Sequence, residues 1–192
     1  MIKITWLNIK LIPYILYSWL IAVLIVCTIT DLRQRRIPNL LTYPTAFFAL
    51  TVHCYIGSWN GFLFSLGGLT FGFAVFLIPY LMGGMGAGDV KLMSAVGAVL
   101  GFQQTAICFL FVAICGGIVA LGLMVYRRTF KKTLLKTFLG ILYLGVHRDA
   151  SLLKVDKNII TKEGIPYGVA IAGGVFLFFL YLISNNKTLP AF

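Results

Sequence analysis

Charged side chains are missing from four long stretches of this chain: no Asp, Glu, Lys or Arg occurs in 11–30, 37–88, 92–126 or 164–186. About 20 apolar residues carry a helix across the hydrocarbon core of a bilayer, so each silence predicts one or two spans. The first predicts a helix over 11–30. The second is too long for one crossing, and the Ile56, Gly57, Ser58, Trp59, Asn60, Gly61 stretch reads as a turn, which predicts helices over 39–55 and 62–82. The third, taken with Asp89 to Lys91 just before it, divides at Gly101, Phe102, Gln103, Gln104 into 89–100 and 105–126, and the last predicts 166–183. The expected fold is an all-α polytopic membrane protein, with six spans in a single membrane-embedded domain over 1–192. The fourth helix, at roughly a dozen residues, is short of a full crossing unless it extends or tilts. No internal repeat or low-complexity segment is visible.

Composition sharpens this picture. Of 192 residues, 60% are hydrophobic and 11% charged, against roughly 25% charged in soluble domains, which excludes a water-soluble globule. The net charge of +11 would suggest a nucleic-acid partner in a soluble protein, but its distribution argues otherwise. With six spans, one side of the membrane carries Arg33, Arg35, Arg36, Lys91, Arg127, Arg128, Lys131, Lys132, Lys136, Arg148, Lys154, Lys157 and Lys162. The other has Lys3, Lys10 and Lys187. The positive-inside rule makes the basic side cytoplasmic and puts both termini outside. The charge therefore reads as topology plus attraction to anionic membrane lipid, not as a nucleic-acid groove. Within the polar stretch 127–163, Phe130, Leu134, Phe138 and Ile141 or Leu142 share one helical face away from Lys131, Lys132 and Lys136, the pattern of an amphipathic helix at the cytoplasmic interface. The N-terminal apolar run has no small-residue cleavage site and reads as a retained anchor.

Several chemistries find no support. Cys27, Cys54, Cys108 and Cys115 all fall in predicted spans without a CxxC pair, so no zinc site is expected and packing is their simplest role. His53 and His147 have no partner at metal-ligand spacing, and no serine lies in a GxSxG context. No metal or cofactor is called for.

The acids are more informative. Asp149, Asp156 and Glu163 belong to the polar stretch, but Asp31 follows the first predicted span and Asp89 begins the fourth, both at the cytoplasmic boundary. Carboxylates next to hydrocarbon are functional suspects. Each also has a structural explanation: Asp31 as an interfacial anchor beside Arg33, Asp89 as a helix cap. Their surroundings are unusual, however. Asp89 closes a run in which Gly83, Gly84, Gly86 and Gly88 free the backbone and leave room for an extended peptide. Asp31 precedes Pro38 and Asn39, which can end one element and cap the next helix. Two adjoining carboxyls cannot both ionise without a large electrostatic cost, so one remains an acid and the other serves as a base. That is the equipment of an aspartic protease. The helix macrodipole favours Asp89, at a helix N-terminus, as the base over Asp31, at a C-terminus.

At these residues the chain resembles the type IV prepilin peptidases, membrane aspartic proteases of the GxGD class. The matching pieces are Asp31 with Arg36, Ile37, Pro38 and Asn39; then Gly86, Ala87, Gly88, Asp89, Val90, Lys91 and Leu92; and a shorter echo, Ile165, Pro166, Tyr167 and Gly168. The resemblance implies that Asp31 and Asp89 are the catalytic pair, that Gly86, Gly88, Lys91, Pro38, Asn39, Pro166, Tyr167 and Gly168 surround the substrate, and that no cofactor is needed. It also implies an enzyme of the cytoplasmic (inner) membrane that removes the short basic leader from pilin-like precursors, usually after a glycine and before an apolar segment. Many bacterial members carry a zinc-binding tetracysteine region near the N-terminus and methylate the new N-terminal residue. That pattern is absent here, so the chain resembles the short forms and methyl transfer is not expected. The enzyme's basic loops would repel a basic leader, a difficulty that anionic lipid or Asp149, Asp156 and Glu163 could offset. Two rival readings are a proton-coupled transporter, which would call for acids nearer mid-helix and a repeat of broken helices, and a noncatalytic assembly protein of a pilus or secretion machine. The sequence leaves the oligomeric state open.

Overall fold

A computed structural model describes residues 2–82, 84–126 and 167–185. Among them every regular element is an α-helix: α1 (Ile2–Gln34), α2 (Asn39–Leu81), α3 (Ala87–Leu100), α4 (Phe102–Tyr126) and α5 (Tyr167–Ser184). The polar stretch 127–163, with its expected amphipathic helix, lies outside the described residues. Among the described residues, four helical segments are long and apolar enough to cross a membrane: Ile12–Gln34, Asn39–Leu81, Phe102–Leu123 and Tyr167–Ser184.

The 43-residue α2 is not one rod. Ser58 breaks its helical backbone, with φ 50° and ψ −132°, and a Cβ on Gly61 would collide with the His53 carbonyl. Those two residues lie far apart along a straight helix, so the chain doubles back there. Contacts with α3 give the sense of each arm. In the first arm Asn39 meets Lys91 and His53 meets Val99; in the second, Ser65 meets Ala98, Gly68 meets Gly97 and Gly72 meets Met93. The first arm therefore runs parallel to α3 and the second antiparallel. The reversal is tighter than the six-residue turn expected from the sequence, because Trp59, Asn60 and Gly61 are already helical.

Other boundaries shift for local reasons. α1 continues past residue 30, since Leu32, Arg33 and Gln34 keep its bonding going until Arg35 turns left-handed at φ 52° and donates its N–H to the Asp31 carbonyl (2.8 Å). Asp31 consequently sits in the last turn of α1 rather than beyond it. Between α3 and α4 a single residue makes the break: Gly101, at φ 76°, donates its N–H to the Gly97 carbonyl (2.8 Å), and the Phe64 ring fills the place a side chain would need. Gln103 and Gln104, expected in a connection, are helical.

α3 forms the centre. Eleven of its residues, from Asp89 and Val90 through Leu92–Leu100, are buried, and it touches each of the other four helices. Around it, Trp19 of α1 donates to Thr45 of α2 (3.1 Å) and leans on Phe48. Phe76 and Phe71 of α2 meet Phe109 and Phe102 of α4. Phe111 of α4 packs on Phe178 and Tyr181 of α5, and Phe179 of α5 returns to Tyr17 of α1. Large apolar side chains such as Ile25, Phe47, Ile118 and Phe176 are exposed on the outer four helices, while α3 exposes none. In water that surface would exceed what a soluble monomer presents; against lipid it is the expected exterior. Of the cysteines, Cys27 and Cys108 are buried, Cys115 is half-buried and Cys54 faces outward.

Candidate active site

The chain reversals bring one end of several helices together: the C-terminal turn of α1, the first turns of α2 and α3, and the start of α5. At this end both suspect acids are buried, Asp31 and Asp89 each being 7% exposed. Asp89 is the third residue of α3. Its N–H donates to the Gly86 carbonyl (3.1 Å), while its Oδ2 accepts the Gly86 N–H (3.1 Å). It thus caps its own helix, as its structural explanation anticipates, and its carboxyl is fixed in direction by doing so. Asp31 is held from the far end of the chain, its Oδ2 accepting the N–H of Gly168 in the first turn of α5 (2.9 Å). The two carboxyls lie within electrostatic reach of each other, and Tyr167 lies within reach of Asp89. Burial of both raises the cost of ionising both.

This arrangement removes the basis for choosing a base from helix ends. Asp31 stands in the C-terminal turn of α1, but its carboxyl meets an N-terminal amide of α5. Each acid therefore faces a helix N-terminus, and the macrodipole does not rank them.

The surrounding residues link the two motifs. Lys91 Nζ donates to Asn39 Oδ1 (3.0 Å) and stands 5.1 Å from the Tyr43 ring centroid. Asn39 is the first residue of α2, with Pro38 in the capping position at φ −68° and ψ 126° and no side-chain cap present. The Asn39 amide thus ties α2 to α3 instead of capping its helix. The space at Gly88 is taken by the chain itself: a Cβ there would lie 2.9 Å from Ile37 Cβ. A Cβ on Gly86 would lie 3.3 Å from Asp89 Oδ2. Of the glycines expected to leave room for a peptide, Gly88 has its side-chain space filled by Ile37 and Gly86 has its own bordered by the Asp89 carboxyl. Pro166 lies outside the described residues. Tyr43 was missed by sequence reasoning because nothing marks an exposed aromatic one turn beyond Asn39 as the platform for a distant lysine. His53, assigned no role, is buried with Nε2 3.1 Å from the Val99 carbonyl, a helix–helix contact. Among the described residues no three His, Cys, Asp or Glu side chains are grouped to hold a metal ion.

Fold and site together define a multi-pass membrane protein, helical throughout its described residues, with two buried carboxyls at one end of its helix assembly. The type IV leader peptidase family matches residues 18–121, more than half of the chain, and the protein belongs to that family. It is similar to the prepilin leader peptidase/N-methyltransferase of Bacillus subtilis (strain 168), at 25% identity over 178 residues, which is 91% of this chain and 58% of that protein. Proteins of the same name from Aeromonas hydrophila and Aeromonas salmonicida (strain A449) are 31% and 32% identical over 131 residues, covering 59% of this chain and 40% of theirs. The chain thus spans about half the length of these relatives. No solved structure matches it.

Proposed function

We propose that this protein is an aspartic endopeptidase that cuts the short basic leader from type IV pilin-like precursors at the cytoplasmic face of the membrane. The observation that supports the reading is the shared location of Asp31 and Asp89: the acids of two motifs 58 positions apart in the chain lie buried at one end, each held by a glycine amide at a helix N-terminus. One carboxylate takes a proton from water as the water oxygen bonds to the scissile carbonyl carbon, and the partner carboxylic acid gives its proton to the carbonyl oxygen. The tetrahedral adduct then collapses. The C–N bond breaks, the leaving nitrogen receives the proton first taken from water, and the second carboxyl regains its own. Neither a covalent intermediate nor a metal is required.

Six crossings suit this role. They would be α1, the two antiparallel arms of α2, the short central α3, α4 and α5, and by the positive-inside rule the charge asymmetry argues for both termini outside and the carboxyl end toward the cytoplasm. A precursor's apolar helix can then rest in lipid while its cleavage point lies at the carboxyls, and a glycine before the cut suits a crowded site. The relatives' names include methyl transfer; in this chain we assign the peptidase reaction alone, and methylation of a cleaved pilin by the purified protein from S-adenosylmethionine would overturn that assignment.

The direct test is cleavage of a pilin precursor in membranes by wild type, Asp31→Asn and Asp89→Asn. The amide keeps the shape but cannot exchange the proton, so each change lowers the rate by about 10²–10⁴-fold while expression and precursor binding persist. Cleavage at or near the wild-type rate in either variant removes the mechanism. Proton flux without cutting would instead favour a transporter, and precursor binding without either would favour an assembly protein.

A further inference from the structure

We propose that Gly168 is a positioning residue for Asp31: the first turn of α5 aims the Asp31 carboxyl through the Gly168 N–H, and only glycine lets that amide come within reach. For kinetics the inference rests on the peptidase reading; for geometry it does not. The N–H groups in the first turn of a helix have no acceptor within the helix. Gly168 is the second residue of α5, and its N–H goes to Asp31 Oδ2 at 2.9 Å in a buried contact spanning 137 positions of sequence. A methyl group at this position would stand 2.7 Å from Oδ2 of Asp31, too close to be accommodated without a shift, and 3.1 Å from both its Cβ and Cγ, a few tenths of an ångström too tight. Relief would demand either rotation of a buried carboxyl or withdrawal of the start of α5, and both lose the hydrogen bond. The neighbouring Tyr167 lies within electrostatic reach of Asp89, so one dipeptide acts on both acids. Gly168 accordingly serves the enzyme's own carboxyl rather than the substrate.

Two measurements on the full chain test this. In precursor cleavage, Gly168→Ala lowers kcat by about 100-fold, the usual penalty for a misplaced catalytic group, and leaves KM unchanged. An unchanged kcat, or a raised KM with unchanged kcat, overturns the proposal. In detergent unfolding, Gly168→Ala destabilises wild type and Asp31→Asn, which keeps the shape of the colliding group, but has a smaller effect in Asp31→Ala, which removes Oδ2 and Cγ and leaves only Cβ. Equal destabilisation in all three backgrounds also overturns it. The unfolding coupling stands even if wild type cuts no precursor; that combination would refute the peptidase reading and leave the Gly168–Asp31 contact intact.

Discussion

Replacing Gly97 by Ala tests how α3 is seated in the fold. In an ordinary helix interior the change stabilises by about 1 kcal/mol through propensity. Here the added methyl would collide with the Gly68 carbonyl, with the carbonyl carbon at 2.7 Å and the Leu69 nitrogen at 3.3 Å. All three atoms are backbone, so no rotamer change relieves the clash and the helices must separate. Overpacking of this kind costs about 1–3 kcal/mol, and the upper end applies where both partners are main chain. Net destabilisation by about 2 kcal/mol follows once propensity is offset. Gly117→Ala in α4 is the matched control: nothing lies within 4 Å of a Cβ there, so only propensity acts, and that variant gains up to about 1 kcal/mol. Two chemically identical changes should therefore move the unfolding midpoint in mixed micelles, followed by helicity, in opposite directions. If both variants shift it the same way, the backbone approach of α2 and α3 is not as described. Gly97→Ala should also slow cleavage, because a displaced α3 carries Asp89 with it.

Two further outcomes concern the site. The rate of precursor cleavage should depend on pH through two apparent pKa values that belong to the carboxyl pair jointly; a profile with one titration step would count against shared protonation. Lys91→Met keeps the aliphatic stem but removes the donor to Asn39, so cleavage should fall with little change in thermal stability. Asn39→Ala should match it, and the double variant should be no worse than either single one if the two side chains act through that bond; additive losses would show separate roles.

Much of this was legible because membrane segments write themselves in long uncharged runs, and because buried acids are rare enough to stand out. Asp31 and Asp89 were visible for that reason, and Asn39, Lys91 and Gly168 through the motifs around them. What those residues touch was not legible. Nothing local says that Asn39 holds Lys91 instead of capping α2, or that Ile37 occupies the room beside Gly88, since both contacts arise from how helices distant in sequence are brought together. The same limit misled the helix-end argument about Asp31, whose donor arrives from α5. The reversal at Ser58 was placed correctly but judged too long, because Trp59 and Asn60 look like turn residues while their backbone is already helical.

The enclosure of α3 bears on how the protein is made. As the ribosome releases the chain, this short segment, with Asp89 and Lys91 near its beginning, is finished before α4 and α5 exist. At 14 residues it rises about 21 Å, short of the ~30 Å hydrocarbon layer, so lipid alone is a poor host for it. Its berth among the other helices is complete only when the last of them has been synthesised.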